Sequence, residues 1–144
     1  MKGVIERIKV YPAKGEAGRE AAEASFIENF GLEGDHHAKG GERQISILVE
    51  EAGQGEKGLC HSRFKENLAV RGLAPSALRP GIRLEAGEAE QRVVLEITGE
   101  TKHCHERCSL REAGKSCSLA GLNLFAKVLK SGVIRVGDGV SVSC

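Results

Sequence analysis

Nineteen glycines in 144 residues constrain this chain more than any other feature. They recur between short apolar segments, so few stretches are long enough for an extended helix and many have the length of a strand. The pattern predicts a mainly β, barrel-like fold with a few short helices. The length predicts one domain over residues 1–144, with enough chain for a real core.

Individual segments carry the same signal. Over residues 3–11, Val4, Ile8 and Val10 share one parity with Glu6, opposite Arg7 and Lys9, which predicts a first strand. Ala22, Ala24 and Phe26 alternate with Glu23, Ser25 and Ile27; a strand competes there with a helix, because residues 16–24 are rich in Ala and Glu. RQISILVEE reads as a buried strand running into a short helical segment, after a loop GLEGDHHAKGGE. RFKENLAVRGL is a predicted strand with Phe64, Glu66, Leu68 and Val70 on one parity. IRLEAGE and QRVVLEITGE predict a hairpin around Ala86–Gln91, supported by the β-branched residues Val93, Val94, Ile97 and Thr98. LNLFAKVLKSG fits helix or strand. GVIRVGDGVSVS predicts two short strands around Gly137-Asp138-Gly139, an Asp-Gly turn signal.

Composition excludes several function classes. Aromatics are 3%, with no Trp and one Tyr, which disfavours the base-stacking platforms of single-strand nucleic-acid binders. A net charge of +1 supplies no global field for DNA or an anionic membrane, although a local basic pocket stays open. No apolar run nears the ~20 residues that span a bilayer. The N-terminus alternates apolar and charged residues, unlike a secretory leader, and predicts a cytoplasmic protein. In that compartment the five cysteines are expected as thiols or metal ligands rather than disulfides.

Three of those cysteines crowd TGETKHCHERCSLREAGKSC, residues 98–117. Three readings of this stretch stand open. Cys104, Cys108, Cys117, His103 and His105 offer ligands for zinc, although only one short-spaced pair is present. The cysteines could equally form a disulfide or fill a core, the plain reading for Cys60 and Cys144. Or Cys104 is a thiolate: His103, His105, Lys102 and Arg107 are cationic neighbours that favour the charged form, which is both the nucleophile and the soft-metal ligand.

Five stretches in order give the chain a specific resemblance over nearly its whole length. FGLEGDHHA (30–38) with RQIS (43–46), RFKENLAVRGL (63–73), LRPGIRLEAGEA (78–89), ITGETKHCHERC (97–108) and LFAKVLKSGVIRVGD (124–138) resemble the MOSC family, the C-terminal domain of molybdenum cofactor sulfurases. The chain looks most like the small stand-alone bacterial members. The resemblance implies a β-barrel-rich fold and a site for a pterin-based molybdenum cofactor (molybdopterin). Members are linked to sulfur transfer onto that cofactor, through pyridoxal-phosphate-dependent desulfurases, or to reduction of N-hydroxylated compounds.

The family's key cysteine falls on Cys104, whose implied role is to ligate molybdenum or to carry transferable sulfur. Further implied cofactor contacts are Lys14 in YPAKG, Arg43 after GLEGD, Arg63 and Asn67 in RFKENL, and Thr101 and Lys102 before the cysteine. The chemistry agrees, because a pterin phosphate needs fixed cations and its edge needs amide partners. Each has a structural alternative: Lys14 as a solvated turn residue, Arg43 paired with Asp35 or Glu42, Arg63 on a rim, Asn67 bonded within its turn. Asp35 is expected to cap loop N–H groups, and His36 and His37 to shape that loop. Where the family often has Pro before the cysteine, this chain has His103, a potential proton donor. Cys108 and Cys117 read as resolving thiols or further metal ligands. The expected partners are a cysteine desulfurase or other sulfur donor, or an electron-transfer protein, together with molybdoenzymes or cofactor-biosynthesis proteins. A non-catalytic carrier of the cofactor and a structural zinc domain are the alternatives.

Overall fold

The structure, a computed structural model, describes residues 2–13, 17–36, 38, 40–41, 44–50, 66–98 and 125–143. Eleven strands lie among them: β1 (Lys2–Val10), β2 (Arg19–Glu20), β3 (Glu23–Ile27), β4 (Gly31–Leu32), β5 (Ile45–Val49), β6 (Leu68–Arg71), β7 (Arg83–Ala86), β8 (Val93–Ile97), β9 (Phe125–Lys130), β10 (Gly132–Arg135) and β11 (Gly139–Ser143). Short 3-10 turns stand at Pro75–Ala77 and Ala89–Gln91. No helix among the described residues is long and apolar enough to cross a membrane.

Seven strands close on themselves in the order β11-β7-β8-β9-β5-β6-β1, with β1 returning to β11. Closure removes the open edges that invite aggregation. Every neighbouring pair in the barrel is antiparallel except β5 and β6, where Ile47 faces Leu68 and Val49 faces Val70. A second sheet, β10-β3-β4, leans on the barrel and adds Phe26, Leu32 and Ile134 to the core formed by Ile5, Ile8, Ile45, Ile47, Leu68, Leu84, Leu95 and Val128. Each such side chain contributes about 1.5–3 kcal/mol by leaving water.

Several expectations are corrected here. In β1 the buried apolar residues are Ile5, Ile8 and Val10, not Val4, Ile8 and Val10. The pairing of β1 with β6 slips between Ile5 and Arg7, and this bulge puts one extra residue into the strand. A period-two reading cannot see such an insertion, so it assigns Val4 to the wrong face. The Ala/Glu-rich stretch forms strands, because β3 pairs with both β10 and β4. LNLFAKVLKSG is decided the same way: β9 lies between β8 and β5, so pairing overrides its ambiguous period. The predicted β7–β8 hairpin is present, with Ala86 opposite Val93.

The last two strands flank a turn but do not pair with each other. β10 joins β3, whereas β11 joins β7 and β1. The turn residue with positive φ is Gly137 (φ 94), and Asp138 closes the turn by accepting the Arg135 N–H at 2.8 Å. Gly139 already belongs to β11.

Candidate functional site

One row of hydrogen bonds crosses the barrel where four of the motif-bearing segments meet. Thr98, the residue after β8, donates its N–H to the Phe125 carbonyl at 3.0 Å. Phe125 stands opposite Ser46 on β5. Ser46 is tied to Asn67, whose carbonyl accepts the Lys9 N–H at 2.8 Å. Thr98 leads into the cysteine-rich stretch, Ser46 ends RQIS, Asn67 lies in RFKENL, and Lys9 precedes YPAKG. Segments dispersed through the sequence thus share one level of the fold.

Asn67 is the hub of that row. It is fully buried, at 0% exposure. Its Oδ1 accepts the Ser46 N–H at 3.0 Å and the Ser46 hydroxyl at 3.1 Å. Its Nδ2 donates to the Lys9 carbonyl at 3.2 Å and to Asp35 Oδ1 at 3.0 Å. A side-chain amide has two donor hydrogens and two acceptor positions, so all four are used inside the protein. Nothing on this amide is left for the edge of a pterin. Its bonds also run to β1, β5 and the Asp35 loop, far beyond its own turn.

Asp35 joins the loop after β4 to this hub. The same Oδ1 accepts the Tyr11 N–H at 2.8 Å, and the His36 N–H donates to the Tyr11 carbonyl at 2.8 Å. Asp35 therefore caps an N–H 24 residues away in sequence, which ties its loop to the residue after β1. Tyr11 is buried, and burial together with the charges of Glu66 and Asp35 pushes its phenol up to about 12, against an opposing pull from Arg7.

A second ionic contact fixes the same region. One guanidinium nitrogen of Arg7 donates to Glu50 at 2.9 Å and to Glu66 at 3.1 Å. Burial lowers the Arg7 pKa, but the bonds and charges of Glu66 and Glu50 outweigh it and leave the group above its ordinary value. Glu50 follows β5 and Glu66 precedes Asn67, so Arg7 anchors both stems of the β5–β6 crossover to β1.

Of the residues singled out in the sequence, Asn67, Asp35 and His36 are described. Lys14, His37, Arg43, Arg63, Thr101, Lys102, His103, Cys104, His105, Cys108 and Cys117 lie outside the described residues, as do Cys60 and Cys144. Among the described residues no three of His, Cys, Asp and Glu stand together as a metal site. Sequence reasoning missed Ser46, Gln44 and Arg7. Gln44 is 2% exposed, and its Oε1 accepts the Val128 N–H at 3.0 Å while its Nε2 donates to Gly41. A signal existed for the first two: polar residues directly before and within the apolar run ISILV need partners once buried. Arg7 has no such signal, because its carboxylate partners are 43 and 59 residues away.

No family model matches the chain, and no curated protein matches its sequence. Its fold, a closed β-barrel with a small accessory sheet, is shared with solved structures. The YuaD protein from Bacillus subtilis superposes with a TM-score of 0.70 at 19% identity, over 99% of this chain and 96% of that one. YiiM from Geobacillus stearothermophilus gives 0.64 at 15% identity, over 99% of this chain and 75% of that one. YiiM from Escherichia coli gives 0.60 at 17% identity, over 100% and 70%. At these identities the similarity is one of fold.

Proposed function

We propose that this chain is a MOSC-type domain in which Cys104 is a thiolate that carries sulfur, working beside a molybdenum cofactor. The observation that carries the reading is the row Thr98–Phe125–Ser46–Asn67–Lys9, which joins the stems of the cysteine-bearing, RQIS, RFKENL and YPAKG segments. The fold neighbours YuaD and YiiM are MOSC-domain proteins, which supports the same family on independent grounds.

Within this reading the described residues have a positioning role. Asn67, Asp35 and Ser46 hold the stems, and the Asn67 amide has no position left for a ligand. Lys14, Arg43, Arg63, Thr101 and Lys102 are the proposed cofactor-facing groups; cations and hydroxyls there suit a phosphate-bearing pterin. When bound, the cofactor supplies a soft metal centre at which sulfur is received.

The step at Cys104 balances without an external oxidant. The Cys104 thiolate attacks the terminal sulfur of a persulfide donor, forming one S–S bond while the donor's S–S bond breaks. The donor leaves as a thiolate, and Cys104 holds the sulfane sulfur. Lys102, His103 and His105 keep the thiolate charged before attack. Cys108 and Cys117 are proposed as resolving thiols. The donor partner is a cysteine desulfurase or another persulfide-bearing protein.

The test is sulfur loading. The protein is incubated with a cysteine desulfurase and cysteine, and the sulfane sulfur is read by cyanolysis as thiocyanate. Wild type is expected to release near one equivalent, and Cys104→Ser none, with an unchanged circular-dichroism spectrum. Equal release from both proteins overturns the assignment.

A further inference from the structure

One glycine in the barrel has no conformational or packing reason to be glycine. Gly137 supplies the positive φ of the β10–β11 turn, and Gly3 is held against the Arg71 carbonyl, where a Cβ would sit 2.5 Å away. Gly139 differs from both. It lies in β11 outside the left-handed region, and a Cβ there would meet nothing within 4 Å. An outward strand position of this kind ordinarily favours a β-branched residue. Glycine in a strand often marks the close approach of a ligand or another backbone.

Gly139 lines an open groove of about 250 Å³ on the outer side of β1, β11 and β7. Lys2, Arg92, Ser141 and Glu85 line it as well. The register sets Lys2 opposite Ser141, and Ser141 opposite Glu85, so these side chains project from one outer face. Lys2 has no ion pair among the described residues. Arg92 makes only a loose contact with Glu85, at 3.8 Å with both side chains partly exposed. The groove therefore holds two cations against one carboxylate, with a hydroxyl beside them.

We infer that this groove is a binding site for a small oxyanion, a carboxylate or phosphate group held between Lys2 and Arg92 and seated over Gly139. The volume suits a single small group rather than a drug-sized ligand. Arg92 offers parallel N–H donors, Lys2 a point charge, and the Ser141 hydroxyl a further donor. The site is separate from the row that carries the proposed sulfur chemistry and does not depend on it.

Amide resonances of Gly139 and Ser141 report the test by NMR during titration with inorganic phosphate and, separately, acetate. At least one anion is expected to give a saturable shift, and the tighter of the two identifies the preferred class. Lys2→Ala and Arg92→Ala should each weaken binding roughly tenfold, the scale of one lost charge-assisted contact. Gly139→Val should fold at least as stably as wild type and lose saturable binding. Arg79→Ala, a control away from the groove, should bind as wild type does. Responses to both anions that never saturate, binding that survives Gly139→Val, or an equal loss in Arg79→Ala would each overturn the site.

Discussion

Asn67, the residue before β6, and Ser46 in β5 bond each other four times. The Asn67 N–H points to both the carbonyl and the hydroxyl of Ser46, at 2.9 and 3.0 Å, and its side-chain oxygen accepts both the Ser46 N–H and the Ser46 hydroxyl. In a parallel pair, where ladder bonds are slanted and slightly weaker, this reciprocal set locks the register just where the strands begin. It also sets the level of the neighbouring stems, since Lys9 and Phe125 connect through the same two residues.

Replacing Asn67 by Ala should therefore cost about 3 kcal/mol, because the buried Ser46 N–H, Lys9 carbonyl and Asp35 oxygen all lose a partner. Denaturant unfolding measures it. Asn67→Asp is diagnostic in a different way. It sets a second carboxylate against Asp35, so this variant should be least stable at neutral pH and recover as acid protonates the pair. A variant that gains nothing on acidification would contradict the Asp35 contact.

Arg7 should matter more than its surface position suggests. Glu66 is almost buried, with its side chain 9% exposed, whereas Glu50 is 37% exposed. Arg7→Met leaves the Glu66 carboxylate without its partner and should cost about 1–3 kcal/mol. Glu50→Gln removes only a solvent-screened contact and should cost less than about 1 kcal/mol. Comparing the two by thermal unfolding ranks the halves of the clamp.

The chain holds a single tyrosine, so its titration is readable directly from phenolate absorbance. Tyr11 should ionise near pH 12, above the ordinary value of about 10. Because the folded pKa is the higher one, the folded state keeps a proton that the unfolded chain gives up. Stability from this group is fully present below about pH 10 and is lost as pH rises towards 12. Tyr11→Phe should remove that part of the alkaline destabilisation.

The barrel was legible in the sequence because its glycine spacing and β-branched runs are local signals. The β7–β8 hairpin needed nothing beyond neighbouring residues. What escaped was set by distance. The bulge in β1 depends on its pairing with β6, and the strand identity of β9 depends on β5 and β8. Gly137-Asp138-Gly139 signals the turn between two strands, yet β10 and β11 go to different sheets, which no such tripeptide reveals. RFKENL suggests Asn67 as a cofactor contact or a residue bonded within its turn, whereas its partners Ser46, Lys9 and Asp35 come from three separate segments, so its positioning role is not readable from that stretch alone.

The turn itself gives a paired prediction. Gly137→Ala forces a side chain into positive φ and should destabilise by about 1 kcal/mol, whereas Gly139→Ala meets open space and should stabilise by about 0.5 kcal/mol. Melting temperatures of the two variants should move in opposite directions.

The central claim concerns Cys104, and intact mass of protein purified without reductant tests it most directly. Wild type should carry added mass of one sulfur that disappears on treatment with reductant and is missing from Cys104→Ser. The same added mass persisting in Cys104→Ser, or moving only with Cys108 or Cys117, would contradict the account.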